Sequence, residues 1–126
     1  MSQIIDTAVV LALFRNEPGT AVAAGLVPSG HMSSVNLSES VSKLFDYGEI
    51  PDAAWKRVLR LNLTIHPFDT EAARIAASLR PISRPFGLSF ADRACLALGI
   101  KLGLPAYTAD RMWAKLKIGV DIRLIR

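Results

Sequence analysis

The run GLSFADRACLALG, residues 87–99, decides how the rest of the chain is understood. Helical periodicity extends from Ser89 to Lys101. At 100° per residue, Ala91, Ala94, Cys95 and Leu98 line one side of this helix, and Leu96 and Ile100 cover most of the other. A helix apolar nearly all round is expected to be buried. Yet its first turn carries Asp92 and Arg93. One explanation is local: Ser89-Phe90-Ala91-Asp92 has the S-x-x-D spacing of a capping box. An acid in a first turn also gains roughly 0.3–1 kcal/mol from the helix macrodipole. The other explanation is functional, because a cap alone could have used a solvent-facing position.

Working outward, alternating strand and helix signals surround this segment. A strand is expected over residues 3–6 (Gln-Ile-Ile-Asp), a buried helix over 8–14, a turn over 15–19 and a small Ala-rich helix over 20–26. Residues 33–35 read as the edge of a second strand. Leu37, Val41, Leu44 and Phe45 then share one helical face. Pro51 opens another helix, with Ala54, Trp55, Val58 and Leu59 expected inward. A strand at 63–65 precedes a helix capped by Asp69, whose stripe is Ala72, Ile75, Ala76 and Leu79. Two prolines and a glycine make 80–88 a loop. After the decisive helix come a strand at 104–108, a short helix at 110–116 and an edge strand at 120–125. Such alternation predicts an α/β fold: a mostly parallel sheet with helices on both faces, formed by one domain over residues 1–126.

Composition narrows the chemistry. The chain has 126 residues, 51% of them hydrophobic and 21% charged, which fits a packed core and argues against disorder. Its single cysteine, Cys95, rules out an internal disulfide and a thiolate zinc cage and reads as a small buried hydrophobe. With no basic stretch at the start and no apolar run long enough to span a bilayer, a cytoplasmic protein away from membranes is expected. Charge is uneven: residues 1–79 carry 6 basic and 8 acidic groups, residues 80–126 carry 9 and 3. A basic half suits a polyanionic partner, nucleic acid first, or simply a solvated surface.

In parallel sheets ligands collect beyond the carboxyl ends of the strands. Asp6 ends the first strand, Asp110 lies just past Ala106-Tyr107-Thr108, and Glu39 and Asp92 are expected in opening turns of helices. Taken singly, Asp92, Asp110 and Glu39 can each be caps, Glu39 through the variant Asn36-Leu37-Ser38-Glu39. Asp6 is different. It stands between Ile4-Ile5 and Ala8-Val9-Val10 with no basic neighbour, and an unpaired buried carboxylate costs several kcal/mol. Clustered carboxylates with no thiolate point to a hard cation, Mg²⁺ or Mn²⁺. His31 and His66, far apart in sequence and in loop-like contexts, are set aside as incidental. A divalent ion among acids, beside a basic flank, is the chemistry of phosphodiester hydrolysis by an activated water.

These fragments together resemble the PIN-domain nucleases, and most closely the VapC-type toxins of type II toxin–antitoxin pairs. The similarity runs through IIDTAVVLALFRNEPG, SSVNLSESVSKL, LTIHPFDTEAARIAASLR, GLSFADRACLALGIKLGLPAYTADRMWAKL and VDIRLIR. The resemblance implies a three-layer α/β/α fold with a central sheet of about five strands. It implies metal and catalytic roles for Asp6, Glu39, Asp92 and Asp110, with Thr108, Asn36 and Arg93 supporting the pocket. It further implies a Mg²⁺-dependent endoribonuclease (Mn²⁺ as an alternative ion) that leaves 5′-phosphate and 3′-hydroxyl ends on a structured RNA of the tRNA or ribosomal class. A small VapB-type antitoxin and a homodimer complete the implied assembly. One departure is Ala8, where many relatives carry a hydroxyl residue.

Two rivals remain. A catalytically silent PIN-like module would bind RNA or protein through the basic half. A phospho-acceptor or phosphatase domain would need an acidic pair or Asp-x-Asp, and Asp6-Thr7-Ala8 supplies neither. No Walker or dinucleotide-binding glycine motif is present.

Overall fold

Ile4 and Ile5, both fully buried, belong to two different cores. Successive strand residues face opposite ways, so a strand apolar at both positions must be covered on both faces. The structure, a computed structural model, describes residues 2–126. β1 (Gln3–Ile5) is the centre of a five-stranded sheet in the order β3-β2-β1-β4-β5, with every neighbouring pair parallel. β2 is Gly30–Ser33, β3 Thr64–His66, β4 Ala106–Thr108 and β5 Ile122–Leu124.

Beneath one face, Ile5 packs with Val9, Val10, Ala23, Val27 and Met32, drawn largely from α1 (Thr7–Phe14) and α2 (Thr20–Leu26). Beneath the other, Ile4 packs with Leu79, Cys95, Leu96, Leu98 and Trp113. Here α7 (Phe90–Leu102) is the principal layer, and it lies against α5 (Thr70–Ser78). The helix is buried almost all round, as its sequence requires. It stops at Gly103, whose φ of 65° is left-handed backbone that favours glycine. α3 (Ser34–Asp46) and α4 (Pro51–Leu59) join through Val41, Leu44, Ala54 and Val58.

Several expectations need correction. β2 ends at Ser33, and Ser34 and Val35 already belong to α3, because the Ser33 hydroxyl accepts from the Val35 N–H at 3.2 Å and caps the helix there. Glu39 therefore sits in the second turn, and the Asn36–Glu39 capping variant does not occur. Trp55 and Leu59 are 44% and 47% exposed, since only the narrow Ala54/Val58 stripe of α4 meets α3. The expected loop at 80–88 winds into α6 (Arg80–Ser83) and a 3₁₀ turn (Arg84–Phe86), with Pro81 and Pro85 near their starts, where a missing N–H does no harm. The segment after Asp110 is a 3₁₀ helix, Arg111–Lys115. His31 and His66, though 35 residues apart in the chain, are not in loops: they lie on β2 and β3 with Nδ1 and Nε2 2.8 Å apart. Among the described residues no helix is long and apolar enough to cross a membrane.

Candidate active site

In the order 3-2-1-4-5 the chain runs from β1 outward through β2 to β3 and then crosses back to the other side of β1 at β4, and the gap beyond the carboxyl ends of β1 and β4 is where such sheets open a crevice. Asp6 follows β1 directly, and Asp110 lies two residues past β4. Glu39 arrives on α3 and Asp92 on α7. The four carboxylates line one cleft of about 190 Å³ with Thr7, Ala8, Leu11 and Lys43. A larger cavity of about 390 Å³, lined by Leu13, Ala24, Val27, Pro28 and Leu61 among others, lies elsewhere and contains no acid.

Asp6 is only 3% exposed. Burial pushes its carboxyl from 3.8 up to about 7; a hydrogen bond from Thr108 opposes that rise, and the charges of Asp92 and Glu39 add to it. The Thr108 hydroxyl, itself fully buried, donates to Asp6 Oδ2 at 2.7 Å and accepts from the Asp110 N–H at 3.1 Å. No cation pairs with Asp6 among the described residues. Asp6 is thus a buried carboxylate compensated by one side-chain hydrogen bond and by no positive charge, in line with its apolar neighbours in sequence.

Asp92 is a helix cap that also lines the cleft. Its Oδ2 accepts from the Ser89 N–H at 2.8 Å while Ser89 Oγ accepts from the Asp92 N–H at 3.2 Å, a complete capping box. The same side chain lines the cleft. Its carboxyl is also raised, first by burial and then, against the Ser89 hydrogen bonds, by Glu39 and Asp110. Asp110 likewise caps its 3₁₀ helix, accepting from the Met112 N–H at 2.9 Å. Glu39 has no capping duty at all.

Asn36, fully buried, stands one turn before Glu39. Its amide donates to Thr7 Oγ1 at 3.3 Å and to the Ala91 carbonyl at 3.2 Å, tying α3 to α1, which follows Asp6, and to α7, which carries Asp92. Its Oδ1 has no partner among the described residues. Arg93 points away from the cleft: Nη1 donates to the Ala76 carbonyl of α5 at 3.1 Å, and its guanidinium lies 5.7 Å from the Phe90 ring centre. Cys95 lies beneath the acids, and burial first, then Asp6, Asp92 and Glu39, push its thiol well up. It is an inert neighbour. Lys43 was not singled out in the sequence, although its place four residues after Glu39 was the available signal.

The donor set is all oxygen, which suits Mg²⁺ or Mn²⁺ and not a thiolate-seeking ion. Among the described residues, no three His, Cys, Asp or Glu side chains stand close enough to hold a cation between them. Mg²⁺ keeps several waters and takes only one or two carboxylates directly, so an open ring of acids fits it better than a closed cage would.

Solved structures with this fold include a toxin–antitoxin complex from Klebsiella pneumoniae, 17% identical with a TM-score of 0.75 over 98% of each chain. VapBC2 from Rickettsia felis bound to a promoter DNA fragment is 14% identical, with a TM-score of 0.73 over 98% of each chain. VapC20 of Mycobacterium tuberculosis, a sarcin–ricin-loop-cleaving toxin, is 18% identical, with a TM-score of 0.74 over 95% of this chain and 98% of that one. At such identities the likeness is one of fold, the three-layer α/β/α arrangement about a five-stranded parallel sheet. No curated protein matches the chain in sequence. Residues 4–119 match the PIN domain model, and over that span, nearly the whole length, the chain belongs to the PIN domain family.

Proposed function

We propose that this protein is the toxin of a toxin–antitoxin pair, a VapC-type endoribonuclease that uses Mg²⁺. The observation that carries the assignment is the single cleft shared by Asp6, Glu39, Asp92 and Asp110. Asp6 and Asp92 are the principal ligands, Glu39 completes the site, and Asp110 acts directly or through water. Asp6 must lose its proton to ligate, and the Thr108 hydrogen bond to Oδ2 favours the anion. Asn36 holds the Glu39 helix in place, and Arg93 anchors α7 to α5. When bound, the ion supplies charge neutralisation at the phosphodiester and activates a water for in-line attack. The toxin–antitoxin complexes of like fold support a small VapB-type antitoxin as partner; a homodimer is part of the same proposal.

Purified protein is expected to cut RNA with Mg²⁺ and to stop when EDTA is added. Expression should arrest growth, relieved by a small protein encoded beside it. The open spacing of the carboxylates favours one other outcome, a silent RNA- or protein-binding module. Intact RNA in both Mg²⁺ and Mn²⁺, with RNA still bound, would select that outcome.

A further inference from the structure

Lys43 is the one basic side chain that lines the acidic cleft. It lies four residues beyond Glu39 on α3, which on a helix is the same face one turn along, about 6 Å farther. Glu followed by Lys at this spacing is the favourable order for a helical ion pair. Yet among the described residues Lys43 forms no ion pair, and its side chain is exposed. Most other lysines and arginines, Lys56, Arg60 and Arg74 among them, also form no ion pair among the described residues; what sets Lys43 apart is its place in the lining of the acidic cleft.

A polyanion entering this cleft meets four acids first, and one divalent ion does not cancel them. The lining otherwise offers only Thr7, Ala8 and Leu11. The step from Glu39 to Lys43 is comparable to the spacing of adjacent phosphates along one strand. We propose that Lys43 binds a phosphate next to the scissile one, fixing the register of an RNA strand across the cleft and making a flanking phosphate part of what the site recognises. The proposal rests on the nuclease assignment above. Lys43 is a substrate-binding residue in this account. Its position in the last turn of α3 also lets it interact favourably with the helix dipole, an effect confined to stability.

The test uses the full chain in an Asp6→Asn background, so that RNA is bound and not consumed. Fluorescein-labelled unfractionated tRNA is titrated at several KCl concentrations, with Lys43→Gln and Lys43→Arg added to that background. A phosphate contact is independent of sequence, so this probe suffices. Lys43→Gln should weaken binding about three- to tenfold and reduce the slope of log K against log [KCl] by about 1. Lys43→Arg should restore both, with all three proteins fully folded at the assay temperature and Lys43→Gln melting lower by no more than the lost helix-dipole interaction. With Asp6 intact, Lys43→Gln should raise KM on RNA far more than it lowers kcat. Unchanged binding, or weaker binding at an unchanged salt slope, overturns the proposal. Failure of the nuclease assignment is seen separately, in the parent protein, as RNA left uncut with Mg²⁺.

Discussion

The Thr108 hydroxyl bridges the ends of two neighbouring strands, giving its proton to Asp6 Oδ2 and taking one from the Asp110 N–H. Through it the most buried acid is fixed to the loop that carries the most exposed one. Thr108→Val keeps the shape and removes the bond. Partners that orient metal-binding carboxylates are worth about 10–100-fold in metal affinity or activity. Mg²⁺ affinity should fall by about that factor at neutral pH, and the rise of activity with pH should move to higher pH, because Asp6 loses the interaction that lowers its pKa. Calorimetric Mg²⁺ titration and a pH–rate profile check both.

Asp6 should destabilise the metal-free protein. Its folded pKa, about 7, is above the unfolded value of 3.8, so the folded state holds a proton the unfolded chain has released. Stability from this group is full below 3.8 and is lost as pH rises to about 7. The loss is at most ~4 kcal/mol above that pH. Asp6→Asn should therefore melt higher than the parent at pH 8 without metal, with the gap closing below pH 4. Saturating Mg²⁺ should raise the melting temperature of the parent and not of the variant.

Capping and cleft duties of Asp92 can be separated. Ser89→Ala removes the partner of the box and should cost about 1 kcal/mol in urea unfolding, with cleavage largely kept. Asp92→Asn should cost at most ~1–2 kcal/mol yet abolish cleavage. An active Asp92→Asn protein would reduce Asp92 to a cap.

The histidine pair predicts an opposite pH trend at the sheet's edge. Burial first, then the charges of His31 and Lys101, hold His66 below 6.5. The unfolded chain thus binds more protons at this residue as pH falls from 6.5, and the stability His66 contributes above 6.5 is lost on acidification. Because Asp6 works in the other direction, the measurable quantity is a difference. Replacing His66 by Gln should flatten the acid-side loss relative to the parent in urea titrations between pH 6.5 and 5.

Local patterns in the chain located most elements, because strands, caps and apolar stripes are set by near neighbours. α2 runs Thr20–Leu26 and Asp69 caps α5, both as periodicity and cap chemistry require. α3 starts ahead of the cap read from Asn36-Leu37-Ser38-Glu39, because the Ser33 hydroxyl, which in sequence reads as part of a strand edge, accepts from the Val35 N–H and caps the helix there. The helical winding of 80–88 came from prolines that read equally as breakers and as first-turn residues. That Asp6 needed a partner was legible from its apolar neighbours. The Thr108 bond to Asp6 joins residues 102 positions apart, the Asn36 clamp and the His31–His66 contact span tens of residues, and no local pattern foretells such meetings.

The order of the strands also bears on how the protein is made. β1 leaves the ribosome first, but its neighbour β4 follows about a hundred residues later, and Asp110 later still. The crevice is absent from a nascent chain until synthesis has passed those residues. Every truncated product that stops short of them lacks the complete set of cleft carboxylates.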